Sequence, residues 1–157
     1  MINWEEMTKE DWGEWFKKYP WDKEVDDEDM PSWLEYGVPQ GWHEYIRDHV
    51  YNPIHQLLAP DRLKAFYILQ LKEKFGGLRL YWTINNEDYP ISPEEYDKID
   101  EIIDNAEKET ELLCYRCGRK AEYLTKGWIL PICKKHAIED LEGKEEDFEK
   151  RYRKLLN

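Results

Sequence analysis

The chain has 157 residues, of which 41% are hydrophobic, 15% aromatic and 37% charged. That length suits one domain, or one domain with a small appended module, and the aromatic content excludes a disordered chain. A formal net charge of −12 sets the surface as a whole against a phosphate backbone, and no apolar run approaches the ~18 residues a bilayer span requires.

Glu5, Glu6, Glu10 and Asp11 stand where a secretory leader would carry basic residues, so the expected location is the cytoplasm. Trp4, Met7, Trp12, Trp15 and Phe16 recur at helical spacing, and Thr8 and Asp11 form a T-x-x-D cap. The spacing predicts a helix over 8–18, stopped by Tyr19-Pro20. An acidic run from Asp22 to Asp29, bounded by Pro20 and Pro31, reads as a loop or arm. Residues 1–60 hold 5 basic against 14 acidic side chains, and Trp4, Trp12, Trp15, Trp21, Trp33 and Trp42 all lie among them. So short a segment cannot enclose six indoles in a core of its own. They pack onto later elements, or some of them face a partner, since Trp and Tyr dominate interface hot spots. The acidic, Trp-rich stretch of Trp12, Trp15, Trp21, Asp26, Asp27, Glu28, Asp29 and Trp33 is thus the candidate partner-binding surface. It suits a host or self protein of basic character.

Trp42, Tyr45, Ile46, His49, Val50, Ile54 and Leu57 predict a further helix, interrupted at Pro53. Between Phe66 and Ile84 the pattern turns partly alternating around Gly76-Gly77. Two antiparallel strands near 66–73 and 78–84 are expected, with a helix through 74 as the rival. Ser92-Pro93-Glu94-Glu95 is a capping box with proline at the first helical position. Tyr96, Ile99, Ile102, Ile103 and Ala106 then form one stripe, giving a helix over about 93–112. From Ala137 onward Ile138, Leu141, Phe148, Tyr152, Leu155 and Leu156 again suggest helix, broken at Gly143. The expected fold is α+β, with helices packed on a small antiparallel hairpin and a C-terminal zinc module. Its regions are 1–53, 54–112 and 113–157.

Cys114-x2-Cys117 and Cys133-x2-His136 carry the chemistry. Zinc takes four soft or borderline donors at the corners of a tetrahedron, and two residues between donors let a tight turn aim both at one point. Gly118 suits the positive φ of such a turn. A knuckle, a short hairpin around Lys126-Gly127 and a ligand pair entering a helix resemble the treble-clef zinc fingers over residues 112–142. Cys114, Cys117, Cys133 and His136 are therefore expected to bind one structural Zn2+, with no open position for a reacting water.

Residues 114–136 hold 6 basic side chains against 1 acidic. Arg116, Arg119, Lys120 and Lys126 could contact phosphates, or pair with the acidic helix over 93–113 within the fold. A His-metal nuclease would need a further histidine base, and only His43, His49 and His55 remain, all upstream. No catalytic motif is present, so no enzyme is expected. The segment Leu71 to Tyr81 (LKEKFGGLRLY), a helix with Ile102-Ile103 and Ala106-Glu107, and then the two ligand pairs together resemble an uncharacterised family of small bacteriophage and prophage proteins. The resemblance covers residues 54–137 and brings no established activity. It implies a phage-encoded protein in the bacterial cytoplasm, where a non-catalytic regulator or inhibitor would bind a host factor or a defence protein; nucleic-acid binding through the basic zinc module is the alternative.

Overall fold

A computed structural model describes residues 7–155. Trp4 and Leu156, assigned above to the first and last amphipathic stretches, lie outside the described residues. The fold is α+β. Helix α1 (Lys9–Phe16) starts at a capping box in which Thr8 and Asp11 satisfy each other's backbone N–H groups. A short α2 (Trp33–Tyr36) follows, and α1 packs against it. The chain then runs as one helical rod through α3 (His43–Ile46), a π-helical turn (Arg47–Tyr51) and α4 (Asn52–Leu58).

The rod corrects the interruption expected at Pro53. Proline lacks an N–H and its ring crowds the carbonyl four residues back, and here the helix widens into the π turn just ahead of it rather than ending.

Strands β1 (Phe66–Lys74) and β2 (Gly77–Ile84) form the expected antiparallel hairpin, so the helical rival through 74 does not hold. The alternation is imperfect because the register slips between Ile68 and Gln70. That bulge moves Phe66, Ile68 and Leu71 to the core and leaves Leu69 exposed. Helix α5 (Pro93–Glu109), capped reciprocally by Ser92 and Glu95, packs along β2 and passes into a 3-10 turn, Thr110–Leu112. A two-stranded sheet leaves backbone donors at its edges. On β2 two of these are taken by α5 and the turn after it: Leu78 N–H donates to Thr110 Oγ1 at 3.1 Å and Leu80 N–H to Glu107 Oε2 at 3.0 Å.

One core unites residues on both sides of position 53. Trp12, Trp21, Trp33 and Trp42 are buried in it, and Trp15 packs half-buried against it. Phe16 and Tyr51 rings lie 4.8 Å apart, Trp21 and Tyr51 5.0 Å, and Trp21 and Phe66 5.2 Å. Aromatic pairs of this kind, edge-to-face or tilted, add about 0.5–1.5 kcal/mol each beyond their area. The partner-facing role expected of Trp12, Trp21 and Trp33 is therefore corrected. The hairpin and α5 supply the apolar surface that the first 60 residues lack. Nor are residues 22–29 a free arm. Ile68 N–H donates to Trp21 O at 2.7 Å and Lys23 N–H to Ile68 O at 3.1 Å, tying the loop to β1. Within it Asp26 Oδ1 accepts from the N–H groups of Glu28 and Met30, while Asp27, Glu28 and Asp29 face outward.

The C-terminal region has its own smaller core. Strands β3 (Tyr123–Thr125) and β4 (Pro131–Ile132) pair antiparallel and lead into α6 (Lys134–Leu141). Glu142 (φ 51°) and Gly143 (φ 85°) end that helix in the left-handed region. A single turn, α7 (Phe148–Arg151), follows, and then the continued helix expected from Phe148 to Leu155 gives way to a strand, β5 (Tyr152–Lys154), on the free edge of β3. Tyr152 is thereby buried against Tyr123 and Phe148. Among the described residues no helix is long and apolar enough to cross a membrane.

Candidate metal centre

The cysteine pair after the 3-10 turn sits on a knuckle closed by three backbone bonds. Gly118 N–H donates to Cys114 O at 2.8 Å, Cys114 N–H to Arg119 O at 2.7 Å, and Tyr115 N–H to Pro131 O at 2.8 Å. Gly118 has φ 74°, the conformation its position required. Cys133 is the N-cap of α6 and His136 lies in its first turn. A cap residue and a residue three further on lean over the same helix end.

All four side chains are buried, and their ligand atoms lie within 4.8 Å of one another. Cys117 Sγ is 3.7 Å from Cys133 Sγ, and His136 Nδ1 is 3.7 Å from Cys114 Sγ and 3.2 Å from Cys133 Sγ. A sulfur separation of 3.7 Å is no disulfide, whose S–S bond is about 2.05 Å. Burial pushes the Cys114 thiol up and the Cys117 thiol up to about 12. Three buried thiolates beside an imidazole are tolerable only around a cation, so the cluster can hold a metal ion. The other ring nitrogen, His136 Nε2, lies 3.8 Å from Glu139 Oε2 on the next turn of α6.

The module is joined to the main body at two places. At the first, Gly41 N–H donates to Tyr115 O at 2.9 Å and Trp42 Nε1 to Leu113 O at 2.9 Å. At the second, Trp128 Nε1, near the β3–β4 turn, donates to Glu73 Oε1 on β1 at 3.0 Å. None of these contacts is legible in the sequence, because each joins residues more than 50 positions apart.

The basic residues near the ligands are dispersed. Arg116 is ion-paired with Asp140 on α6, not with α5, and Lys126 Nζ donates to Glu149 O at 2.6 Å. Arg119 and Lys120 are exposed. The upstream histidines do not join the cluster. His43 is buried with Nε2 3.1 Å from Val38 O, and His49 is exposed with its ring stacked 4.5 Å from that of Tyr45.

Fold and site together define an α+β body carrying a buried three-cysteine, one-histidine cluster that can hold a metal ion. Comparison with family models, curated proteins and solved structures finds no match to the chain.

Proposed function

We propose that this protein is a non-catalytic, protein-binding module in which Cys114, Cys117, Cys133 and His136 hold one structural zinc ion. The observation that carries the reading is the closed, buried four-donor cluster. Zinc with Zn–S of about 2.3 Å and Zn–N of about 2.0 Å makes tetrahedron edges of about 3.8 Å between sulfurs and about 3.5 Å between sulfur and nitrogen. Three of the six separations, 3.2–3.7 Å, fall close to these edges, and all the donor atoms lie within 4.8 Å of one another. Four protein donors leave no coordination position for water or substrate, so the ion organises the chain rather than reacting. A buried site joined to the main core at Gly41 and Trp42 suits that role.

Binding is the work left to the surface. Tyr36, Phe75 and Trp128 are 88%, 75% and 75% exposed on an otherwise highly charged protein, and aromatic side chains of this kind act as interface anchors. The resemblance of residues 54–137 to small phage proteins supports a regulator or inhibitor of a host protein in the bacterial cytoplasm. The net charge of −12 and the internal partners of Arg116 and Lys126 weigh against the nucleic-acid alternative.

Replacing the metal with cobalt(II) tests the closed site. The expected result is the intense visible absorption of tetrahedral cobalt thiolate, unchanged by added azide or cyanide as long as the metal stays bound. A spectrum that shifts on anion binding reveals an open position and overturns the scaffold reading.

A further inference from the structure

Two ties hold the acidic loop and α2 to the outer edge of β1, and they leave a gap between them. At one end Ile68 N–H donates to Trp21 O and Lys23 N–H to Ile68 O, and at the other Glu73 N–H donates to Gly37 O at 2.7 Å. A cavity of about 260 Å3 opens in the gap, bounded by Asp22, Glu24, Trp33 and Tyr36 on one side and by β1 from Ile68 to Lys72 on the other. It is smaller than the ~300 Å3 at which small-molecule pockets begin, and it suits one long side chain. Ile68 and Leu71 are buried, whereas Leu69 is 44% and Tyr36 88% exposed.

The cavity wall carries a carboxylate without a countercharge. Asp22 Oδ1 accepts from Trp33 Nε1 at 2.8 Å and Oδ2 from Tyr51 OH at 2.6 Å, which uses two of the about four lone-pair sites an ionised carboxylate offers. Burial lifts this carboxyl to about 6, and no cation holds it down. Glu24 beside it is exposed, and neither acid forms an ion pair among the described residues. Neighbouring cations are engaged elsewhere. Lys9 pairs with Asp26 and Glu35, and Lys23 Nζ lies 4.4 Å from the Tyr67 ring centre. Lys72, the one cation in the lining, has its Nζ 5.7 Å from the ring centre of Tyr81 on β2, which runs along the opposite edge of β1 from the gap.

We infer that this cavity receives one arginine side chain from a basic segment of a partner protein, the guanidinium meeting Asp22 and Glu24 and the stem lying along Leu69 and Tyr36. The inference rests on the protein-binding reading and gives it a location and a partner chemistry. Arginine answers each part of the lining: its five donors suit the free lone pairs of two carboxylates, its methylenes cover apolar surface, and its plane stacks on an aromatic ring. The wider charge acts in the same sense. Residues 1–60 hold 5 basic against 14 acidic side chains and the chain carries −12, which attracts a basic partner and repels an acidic one or a second copy. Exposed Tyr36 and Leu69 extend the contact beyond one amino acid and so favour a peptide chain over free arginine.

The test uses the full-length, metal-loaded protein in about 0.15 M salt, which screens exposed charges beyond about 8 Å. Three fluorescent peptides alternate threonine with arginine, with citrulline, which keeps the shape and removes the charge, or with glutamate. Anisotropy is expected to show the arginine peptide bound about tenfold more tightly than the citrulline peptide, and the glutamate peptide weakest. Asp22→Asn should weaken the arginine peptide about tenfold, and Glu24→Gln and Tyr36→Ser about threefold each. Glu24 and Tyr36 are exposed, so their variants should melt with the parent and separate lost binding from lost folding should Asp22→Asn be destabilised. Equal binding of the arginine and citrulline peptides overturns the inference. Arginine-peptide binding unchanged in Glu24→Gln and Tyr36→Ser, or in a folded Asp22→Asn, is diffuse attraction to an acidic surface and also overturns it. Arginine amide bound as tightly as the peptide makes the cavity a small-molecule site and overturns the docking of a partner. Preference for the glutamate peptide overturns the arginine site while leaving the protein-binding reading standing.

Discussion

Gly41 and Gly118 pack backbone to backbone. A Cβ built on Gly118 would lie 2.4 Å from Gly41 O, and one built on Gly41 would lie 2.4 Å from Cys114 O. These two glycines let the cysteine knuckle sit directly on the start of the helical rod. Gly118→Ala must bear both the left-handed backbone and the overlap, and is expected to cost about 2–4 kcal/mol. Gly41→Ala should cost about 1–3 kcal/mol by overlap alone. Gly127, with φ 85° and nothing within 4 Å of its would-be Cβ, is the control, and Gly127→Ala should cost about 1 kcal/mol. Urea unfolding of the three metal-loaded variants measures the ranking, which fails if Gly118→Ala is no worse than Gly127→Ala.

Thr110 is fully buried, with Oγ1 donating to Ala106 O at 2.8 Å and accepting from Leu78 N–H. Thr110→Val keeps the shape and removes the acceptor, so an edge donor of β2 is left in the core. The expected loss is about 1–3 kcal/mol. Amide hydrogen exchange at Leu78 should accelerate in the variant, while exchange at the Gly118 N–H of the knuckle should not.

Asp22 and His43 titrate in opposition. Burial lifts the Asp22 carboxyl from 3.8 to about 6, against the hydrogen bonds from Tyr51 and Trp33 that favour its charged form. Burial lowers His43 from 6.5 to about 4, against its bond to Val38 O. Folded Asp22 holds its proton more tightly than unfolded Asp22, so its contribution is greatest below pH 3.8 and is lost as pH rises to about 6. Folded His43 releases its proton more readily, so its contribution is absent below about pH 4 and complete above 6.5. Between pH 4 and 6 the two slopes therefore oppose each other. Asp22→Asn should therefore make stability rise more steeply with pH than in the parent over this window, and His43→Gln should make it fall relative to the parent. Urea midpoints at pH 4, 5 and 6, each read as a difference from the parent so that metal-linked protonation is common to both, check the signs.

The local chemistry of the fold was legible in the sequence. Both capping boxes form where Thr8 and Asp11, and Ser92 and Glu95, place them, and the stripe of Ile99, Ile102, Ile103 and Ala106 is the buried face of α5. The x2 spacings of the ligand pairs brought Cys114, Cys117, Cys133 and His136 together. What sequence could not resolve was long-range. Whether Trp21 faces a partner or the core depends on Phe66 and Tyr51, and composition alone cannot decide between the two. The strand β5 arises because β3, whose paired residues lie 27–31 positions upstream, has a free edge, a demand that outweighs the apolar spacing of Phe148, Tyr152 and Leu155. Phe75 at a positive φ defies turn preference, and the Gly76-Gly77 pair drew attention to the wrong two residues of that turn.

The most direct test of the central claim is native mass spectrometry of the reduced protein before and after EDTA, with Cys114→Ser and Cys133→Ser alongside. The account predicts one zinc ion per chain, removed by the chelator and absent from both variants. The Trp42 indole N–H should lose exchange protection with the metal, because Leu113 O, its acceptor, lies next to the first ligand. A reduced chain that folds fully with no bound metal, or both variants retaining one zinc per chain, would contradict it.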